Sequence, residues 1–224
     1  MKVFVDSANL GEIEDALKRG FTAGVTTNPS ILSKEKRTDF RLHVKKIIAL
    51  LEQYHVKIPL SVEVFSTNPK EMVRQALEFA EEFGHYDGLN IKVPIGWDEL
   101  GVVRELKAKD LKVNCTCCMS LNQAIMAAAA GADFVSIFYG RIRDVGYDAF
   151  TVVQQAHRIF MESRTSSQLI IGSIRHIHDI NDAFLAGADI VTVPPKFFPQ
   201  MVTHPKTDEA VKQFVTDFDN WMAK

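Results

Sequence analysis

Two short stretches, AGADFVSI at residues 130–137 and AGADIVTV at residues 186–193, nearly repeat one another. Each begins where a segment with helical residue spacing ends, and each continues into a run of apolar and β-branched residues. Glycine is favoured just past the last turn of a helix, because it adopts a left-handed backbone at little cost. Each stretch therefore predicts that a helix stops at the glycine and that a strand follows at once.

The same alternation extends from these two stretches over the whole chain. Apolar runs predict eight strands, near residues 2–7, 23–29, 58–65, 89–94, 112–118, 133–140, 168–173 and 189–194. Helical spacing predicts helices near residues 9–20, 38–53, 68–83, 96–109, 120–131, 147–163 and 176–187, followed by closing helices. Strict alternation implies parallel strands joined by helical crossovers. Eight such units favour an α/β fold, a single-domain (β/α)8 TIM barrel over residues 1–224, with a doubly wound open sheet as the alternative.

Composition excludes several classes of partner. The net charge of −2 creates no strong field for nucleic acid or an anionic membrane surface. No apolar run approaches the ~20 residues of a membrane span, and Asp6 comes too early for a signal-peptide core. We therefore expect a cytoplasmic protein with small-molecule partners.

The three cysteines crowd into the stretch CTCC at residues 115–118. An odd number argues against a disulfide framework, and a zinc site would need more ligands with wider spacing. We expect these cysteines to be small buried apolar side chains. The sequence indicates neither a metal site nor a dinucleotide-binding motif, and we expect no cofactor.

The stretch LNIKVPIG at residues 89–96 places Lys92 inside an apolar strand. Burying an unpaired ammonium costs several kcal/mol, so the charge must be paired or the proton released. A lysine amine in such surroundings can attack a ketone or aldehyde, lose water and form an iminium that accepts electrons from a neighbouring C–C bond. The alternative is an ion-pair network that only holds the barrel together.

Other polar residues fall late in the predicted strands or just after them, where barrel enzymes carry their active sites. These residues are Asp6, Thr26, Asn28, Glu63, Asn114, Thr116, Ser136, Arg141, Ser173, Arg175 and Thr192. Carboxylates at this end can shuttle protons, and two arginines suit a phosphate or another oxyanion. For Glu63 an edge strand with the side chain turned outward is the alternative. A buried hydroxyl that is merely satisfied remains the alternative for each serine and threonine.

Eight motifs along nearly the whole chain carry a resemblance to a known family. They read FVDSAN, GVTTNPSIL, SVEV, NIKVP, NCTCCMS, SIFYGRI, GSIRH and AGADIVTVP. The chain resembles the transaldolases, and specifically the small-subunit branch that includes the fructose-6-phosphate aldolases. That resemblance implies a metal-independent class I enzyme of sugar phosphate metabolism, including the pentose phosphate pathway. Its reaction transfers a dihydroxyacetone unit from a ketose phosphate, such as fructose 6-phosphate, to an aldose phosphate.

The resemblance also implies residue roles. Lys92 resembles the Schiff-base lysine, Asp6 the acid–base residue, and Glu63 with Thr116 the pair that positions a water. The other matching positions bind substrate. Asn28, Asn114 and Ser136 resemble the residues that hold the donor's hydroxyls, with Thr26 beside them, and Arg141, Ser173 and Arg175 resemble the phosphate-binding group.

Two positions favour transfer over simple cleavage. Aldolases of the small branch tend to carry Tyr at the position of Phe138 and Gln at that of Glu63, whereas this chain matches the transaldolases at both. Departures such as NCTCCMS at residues 114–120 leave the substrate open. The alternatives are a modified ketose such as a sulfonated fructose, release of free dihydroxyacetone, or a non-catalytic sugar-phosphate-binding barrel.

The chain is expected to end in an amphipathic helix at about residues 207–222. One stripe carries Val211, Phe214, Val215, Phe218, Trp221 and Met222. Packing on its own barrel is one interpretation. The family resemblance favours the other, in which the helix packs on a neighbouring subunit of a homo-oligomer, a pentamer or decamer.

Overall fold

The computed structural model describes residues 1–223, and within them eight parallel strands close into a barrel. The strands are β1 Lys2–Asp6, β2 Thr22–Thr26, β3 Leu60–Glu63, β4 Leu89–Pro94, β5 Val113–Cys118, β6 Phe134–Phe138, β7 Gln168–Gly172 and β8 Ile190–Val193. Each strand pairs with the next along the chain, and β8 pairs back onto β1. The (β/α)8 barrel prediction is confirmed, and the open-sheet alternative is wrong.

Helices connect the strands and surround the barrel. They are α1 Leu10–Lys18, α2 Pro29–Leu32, α3 Phe40–Gln53, α4 Pro69–Phe83, α5 Glu99–Lys107, α6 Leu121–Ala129, α7 Tyr139–Asp144, α8 Ala149–Ser163, α9 Ile177–Leu185, α10 Phe198–Val202 and α11 Pro205–Met222. Several begin at a residue whose side chain accepts a hydrogen bond from the first turn, as Asn9, Asp39, Asn68 and Ser120 do. Such caps satisfy backbone donors that the helix itself leaves free.

Three predicted strands extend beyond the observed ones by three residues or more. The strand predicted at residues 58–65 covers only Leu60–Glu63. The strand predicted at residues 23–29 ends at Thr26, because the Asn28 side chain caps the short helix α2. The strand predicted at residues 133–140 ends at Phe138, where α7 begins. The Gly140 N–H donates to the Ser173 carbonyl of the neighbouring loop at 3.1 Å, so this segment has left the strand ladder.

The barrel interior divides into an apolar and a polar half. Phe4, Phe134, Ile170 and Ile190 form a separate buried cluster inside the barrel. The Phe4 ring lies against Gly24, where an added Cβ would come within 2.4 Å of the ring. This apolar cluster, here called the plug, closes the interior away from the carboxyl ends of the strands.

Helix α11 lies away from its own barrel. All of its residues are exposed, and the Phe214 side chain is 69% exposed. Packing of this helix on its own barrel is therefore wrong. Within residues 1–223, no helix combines the length and apolar character needed to cross a membrane.

Candidate active site

Lys92 lies inside the barrel, on the cavity side of β4, with only 4% of its surface exposed. The register of β3 and β4 pairs Glu63 with Lys92, and Lys92 Nζ lies 3.0 Å from Glu63 Oε2. The same nitrogen donates to the Thr27 carbonyl at 3.0 Å. The charge is therefore paired, and Glu63 points inward rather than out of an edge strand.

A cavity of about 300 Å³ lies beside this lysine, at the carboxyl ends of the strands. Ten of the predicted site residues line it: Asp6, Thr26, Asn28, Glu63, Lys92, Thr116, Ser136, Phe138, Arg141 and Ser173. Asn114 and Arg175 do not. Seven of the eight strands, or the loops after them, thus bring predicted site residues into one chamber, here called the inner chamber.

Asn114 is fully buried behind the chamber wall. Its amide donates to Ser61 Oγ at 3.1 Å, and its carbonyl oxygen accepts from Ser136 Oγ at 2.6 Å. A buried amide whose groups are paired in this way fixes the rotamer of its partner. Asn114 therefore acts on the chamber through Ser136 in this structure.

Asp6 is the second carboxyl of the inner chamber. Burial raises the pKa of Asp6 above its ordinary value, while the hydrogen bond from Thr26, 2.7 Å long, and the positive charges of Lys92 and Lys34 oppose the rise. The Thr26 hydroxyl donates to Asp6, so it accepts from Thr192 at 2.5 Å. A chain of two hydroxyls from β8 and β2 thus ends on this carboxyl.

Thr116 lines the inner chamber and carries an unpaired hydroxyl. Its Oγ1 atom is buried and has no hydrogen-bond partner among the described residues. An orphaned buried hydroxyl is uncommon, because leaving it unpaired costs free energy. A water or a substrate oxygen in the chamber would satisfy it.

A second cavity of about 490 Å³ adjoins the inner chamber, and Asp6, Ile31, Arg141 and Ser173 line both. We call it the outer chamber. Its wall carries the predicted pair, Arg141 and Arg175, and adds two further cations, Lys34 and Lys196.

The two arginines are held differently. The Arg141 guanidinium lies over the Phe138 ring, 5.7 Å from its centroid. Arg175 pairs with Asp144 at 3.0 Å. The predicted anion-binding group of Arg141, Ser173 and Arg175 is therefore assembled in the outer chamber, beside the chamber that holds Lys92.

The cysteine prediction is partly wrong. Cys115 and Cys118 are buried as expected, but Cys117 lines the inner chamber. Its backbone is left-handed, with φ at 61°, at an irregularity in the pairing of β5 with β6. A left-handed non-glycine residue cannot be recognised from strand periodicity.

Sequence reasoning also missed two lysines, because a lysine is normally a surface residue. Lys34 lies in the turn after α2, and Lys196 lies in the short 3-10 helix Pro195–Phe197. Within residues 1–223, no three His, Cys, Asp or Glu side chains are grouped so as to hold a metal ion.

The inner chamber offers a primary amine, two carboxyls and several hydroxyls. This set of groups is suited to carbonyl and proton-transfer chemistry.

Comparison of the whole fold with solved structures finds the same architecture in a distant protein. The chain superposes on the thiamine phosphate pyrophosphorylase of Pyrococcus furiosus with a TM-score of 0.59, covering 86% of this chain and 85% of that one. Only 14% of the residues are identical, so this likeness concerns the fold alone.

Sequence comparison identifies much closer relatives. A probable transaldolase of Moorella thermoacetica is 40% identical over 219 residues, and one of Carboxydothermus hydrogenoformans is 38% identical over 218 residues. These matches cover 97–98% of this chain and 98% of both relatives. The family model of transaldolase/fructose-6-phosphate aldolase matches residues 3–224. The chain therefore belongs to the transaldolase/fructose-6-phosphate aldolase family.

Proposed function

We propose that this protein is a Schiff-base transaldolase that moves a dihydroxyacetone unit from a ketose phosphate, such as fructose 6-phosphate, to an aldose phosphate. The observation that carries the proposal is the position of Lys92, buried inside the barrel yet next to an open cavity of about 300 Å³. A lysine that only stabilised the barrel would not need a cavity beside its amine.

Imine formation begins with transfer of a proton from Lys92 to Glu63, whose Oε2 lies 3.0 Å away. The neutral amine attacks the ketose carbonyl and gives a carbinolamine. Protonation of the carbinolamine hydroxyl releases water and leaves the iminium. Glu63 returns the proton through a water that the free hydroxyl of Thr116 holds, since both groups line the same chamber.

Cleavage of the C–C bond then requires a base at the donor hydroxyl on the second carbon from the iminium carbon, because that carbon becomes the aldehyde of the leaving aldose. The Asp6 carboxylate takes that proton, the bond electrons move into the iminium, and an aldose phosphate leaves an enamine on Lys92. The enamine attacks the acceptor's aldehyde, and Asp6 returns the proton. Hydrolysis of the new iminium by the water at Glu63 and Thr116 frees the product ketose.

The two chambers suit a substrate with a carbonyl at one end and an anion at the other. In the inner chamber Asn28 and Ser136 hold the donor's hydroxyls, with Thr26 beside them and Asn114 supporting Ser136. In the outer chamber Arg141, Ser173 and Arg175 bind the phosphate. The planar guanidinium group of an arginine can donate two parallel hydrogen bonds to phosphate oxygens. A sulfonate on a modified ketose carries the same kind of oxyanion and is the alternative.

Phe138 favours transfer over release of free dihydroxyacetone. Its ring lines the inner chamber and offers no hydrogen-bonding group to hold a second water near the enamine. Protonation of the enamine by water is then slow relative to attack on an acceptor. Net aldol cleavage remains the second candidate, and acceptor-free turnover distinguishes the two.

Borohydride trapping tests the proposal. Reduction in the presence of fructose 6-phosphate is expected to add a dihydroxyacetone-derived mass to Lys92, located by peptide mass spectrometry. Lys92→Met should lower turnover by about 10³-fold or more, whereas substitution of the exposed Lys109 by Met should leave it unchanged.

No adduct with a panel of ketose phosphates and sulfonates, together with normal phosphate binding by Lys92→Met, would instead identify a non-catalytic barrel. Turnover of fructose 6-phosphate to free dihydroxyacetone at an equal rate with and without erythrose 4-phosphate would identify an aldolase.

A homo-oligomer completes the proposal. The apolar stripe of α11 is exposed in the single chain, and a second copy of the chain would cover it. We propose that α11 packs on a neighbouring subunit in a pentamer or decamer.

A further inference from the structure

The carboxylate of Asp179, in the first turn of α9, is fully buried and lines a small cavity that shares Arg175 with the outer chamber. Its Oδ2 accepts hydrogen bonds from the backbone N–H groups of Arg175 and His176, both 2.9 Å long. Its Oδ1 pairs with the guanidinium of Arg143 in α7. One buried side chain thus holds the loop after β7 and, at the same time, the helix after β6.

A second ion pair runs between the same two segments in the opposite direction. Arg175, in the loop after β7, pairs with Asp144 of α7 at 3.0 Å. Between the two pairs the Gly140 N–H donates to the Ser173 carbonyl at 3.1 Å. A Cβ at Gly140 would come within 2.1 Å of that carbonyl oxygen, so only glycine permits this approach.

The loop after β7 contains an unfavourable backbone conformation at Ser173. Ser173 has a left-handed backbone with φ at 59°, which is unfavourable for a non-glycine residue and persists only when surrounding contacts impose it. The hydrogen bonds that Asp179 accepts from the N–H groups of Arg175 and His176, two and three residues after Ser173, are contacts of that kind. Arg141 lies in α7, two residues before Arg143. Each of the two joined segments, α7 and the loop after β7, therefore carries one proposed anion-binding arginine.

We propose that Asp179 is a positioning residue that fixes the spacing of Arg141, Ser173 and Arg175 and thereby sets the affinity of the outer chamber for the substrate's anionic group. This inference rests on the proposed function. A role only in capping α9 would need the backbone bonds but not the ion pair with Arg143. The pair joins α9 to α7, the helix that carries Arg141.

Replacement of Asp179 by Asn tests the proposal. The amide keeps the shape but loses the charge, and its NH₂ group must face either the guanidinium or the backbone N–H groups. We expect the KM for fructose 6-phosphate to rise about tenfold, as for the loss of a charge-assisted hydrogen bond, with kcat changing far less. The rate of borohydride trapping with dihydroxyacetone, which lacks an anionic group, should stay the same.

Asp148→Asn is the matched control, because Asp148 caps the neighbouring helix α8 through Thr151 and is exposed. It should change neither the KM nor the trapping rate. If Asp179→Asn does not fold by circular dichroism, Arg143→Met replaces it, since the Arg143 side chain is 48% exposed and its loss leaves the backbone bonds in place.

Calorimetric titration with inorganic phosphate separates this inference from the proposed function, because it needs no turnover. Weaker phosphate binding by Asp179→Asn or Arg143→Met supports the inference even if no imine forms. Unchanged phosphate affinity and unchanged KM in a folded variant, or an equal loss of dihydroxyacetone trapping, would overturn it.

Discussion

At Asp6, burial and hydrogen bonding act on one carboxyl in opposite directions. Burial raises its pKa, and the Thr26 hydroxyl and the charge of Lys92 partly reverse the rise. The folded state therefore holds this proton more firmly than the unfolded chain, so ionising Asp6 reduces stability as the pH rises above the ordinary aspartate range. A base that must accept a proton near neutral pH benefits from this setting.

Thr26→Val removes the hydrogen bond that lowers the pKa of Asp6. The pKa should rise further, and the acidic limb of the pH profile of kcat/KM should move to higher pH, because more of the enzyme then carries a protonated Asp6. The matched control is Thr22→Val at the other end of β2, whose hydroxyl has no partner among the described residues. A limb that stays in place in Thr26→Val, or moves equally in both variants, would contradict the assigned role of Asp6.

Helix α11 has an apolar stripe that predicts packing, but in the single chain none of the described residues covers this stripe. Its apolar stripe is that of a helix packed on another surface, yet all of its residues are exposed. Exposed aromatic side chains in a row, such as Phe214, Phe218 and Trp221, mark an interface when a contiguous patch forms.

Phe214→Asp should dissociate the proposed oligomer, because placing a charge at an apolar interface removes about 1.5–3 kcal/mol of burial per contact and adds a desolvation cost. Light scattering after size-exclusion chromatography measures the mass. Lys212→Glu on the same helix is the control and should keep the oligomer intact. A wild-type protein whose mass by light scattering is that of a monomer would contradict the interface proposal.

At the scale of the whole molecule, the residues that pack the barrel interior and the residues proposed to react lie in different halves of the barrel. The plug around Phe4 packs the interior away from the candidate active site, and the polar chambers occupy the carboxyl ends of the strands. This division follows from the fold, since all parallel strands point their carboxyl ends toward one face.

Phe4→Ala should lower the free energy of unfolding by about 3–5 kcal/mol, because it leaves a cavity that the closed barrel cannot collapse to fill. Urea denaturation followed by circular dichroism measures the loss. Phe21→Ala is the control, since that ring is 38% exposed and should cost much less. Equal losses in the two variants would show that the plug adds nothing special to the stability of the barrel.

Much of the protein could be read from local pattern. Alternating strand and helix periods, helix-ending glycines and the absence of a long linker predict the barrel, because these features depend on neighbours a few residues apart. Polar residues late in seven strands, above all Lys92, indicate the active site for the same reason. The order of strands in a barrel follows the order of the chain, so little long-range information was needed.

Other features were decided only by the tertiary structure. The register of β3 on β4 pairs Glu63 with Lys92, the closure of the barrel buries Asn114 behind Ser136, and a left-handed backbone turns Cys117 into the chamber. The joining of α7 to the loop after β7 by Asp179 links residues 36 positions apart. Such contacts depend on where separate segments meet in space, which local periodicity does not encode, whereas the fold class depends on the period of each segment by itself.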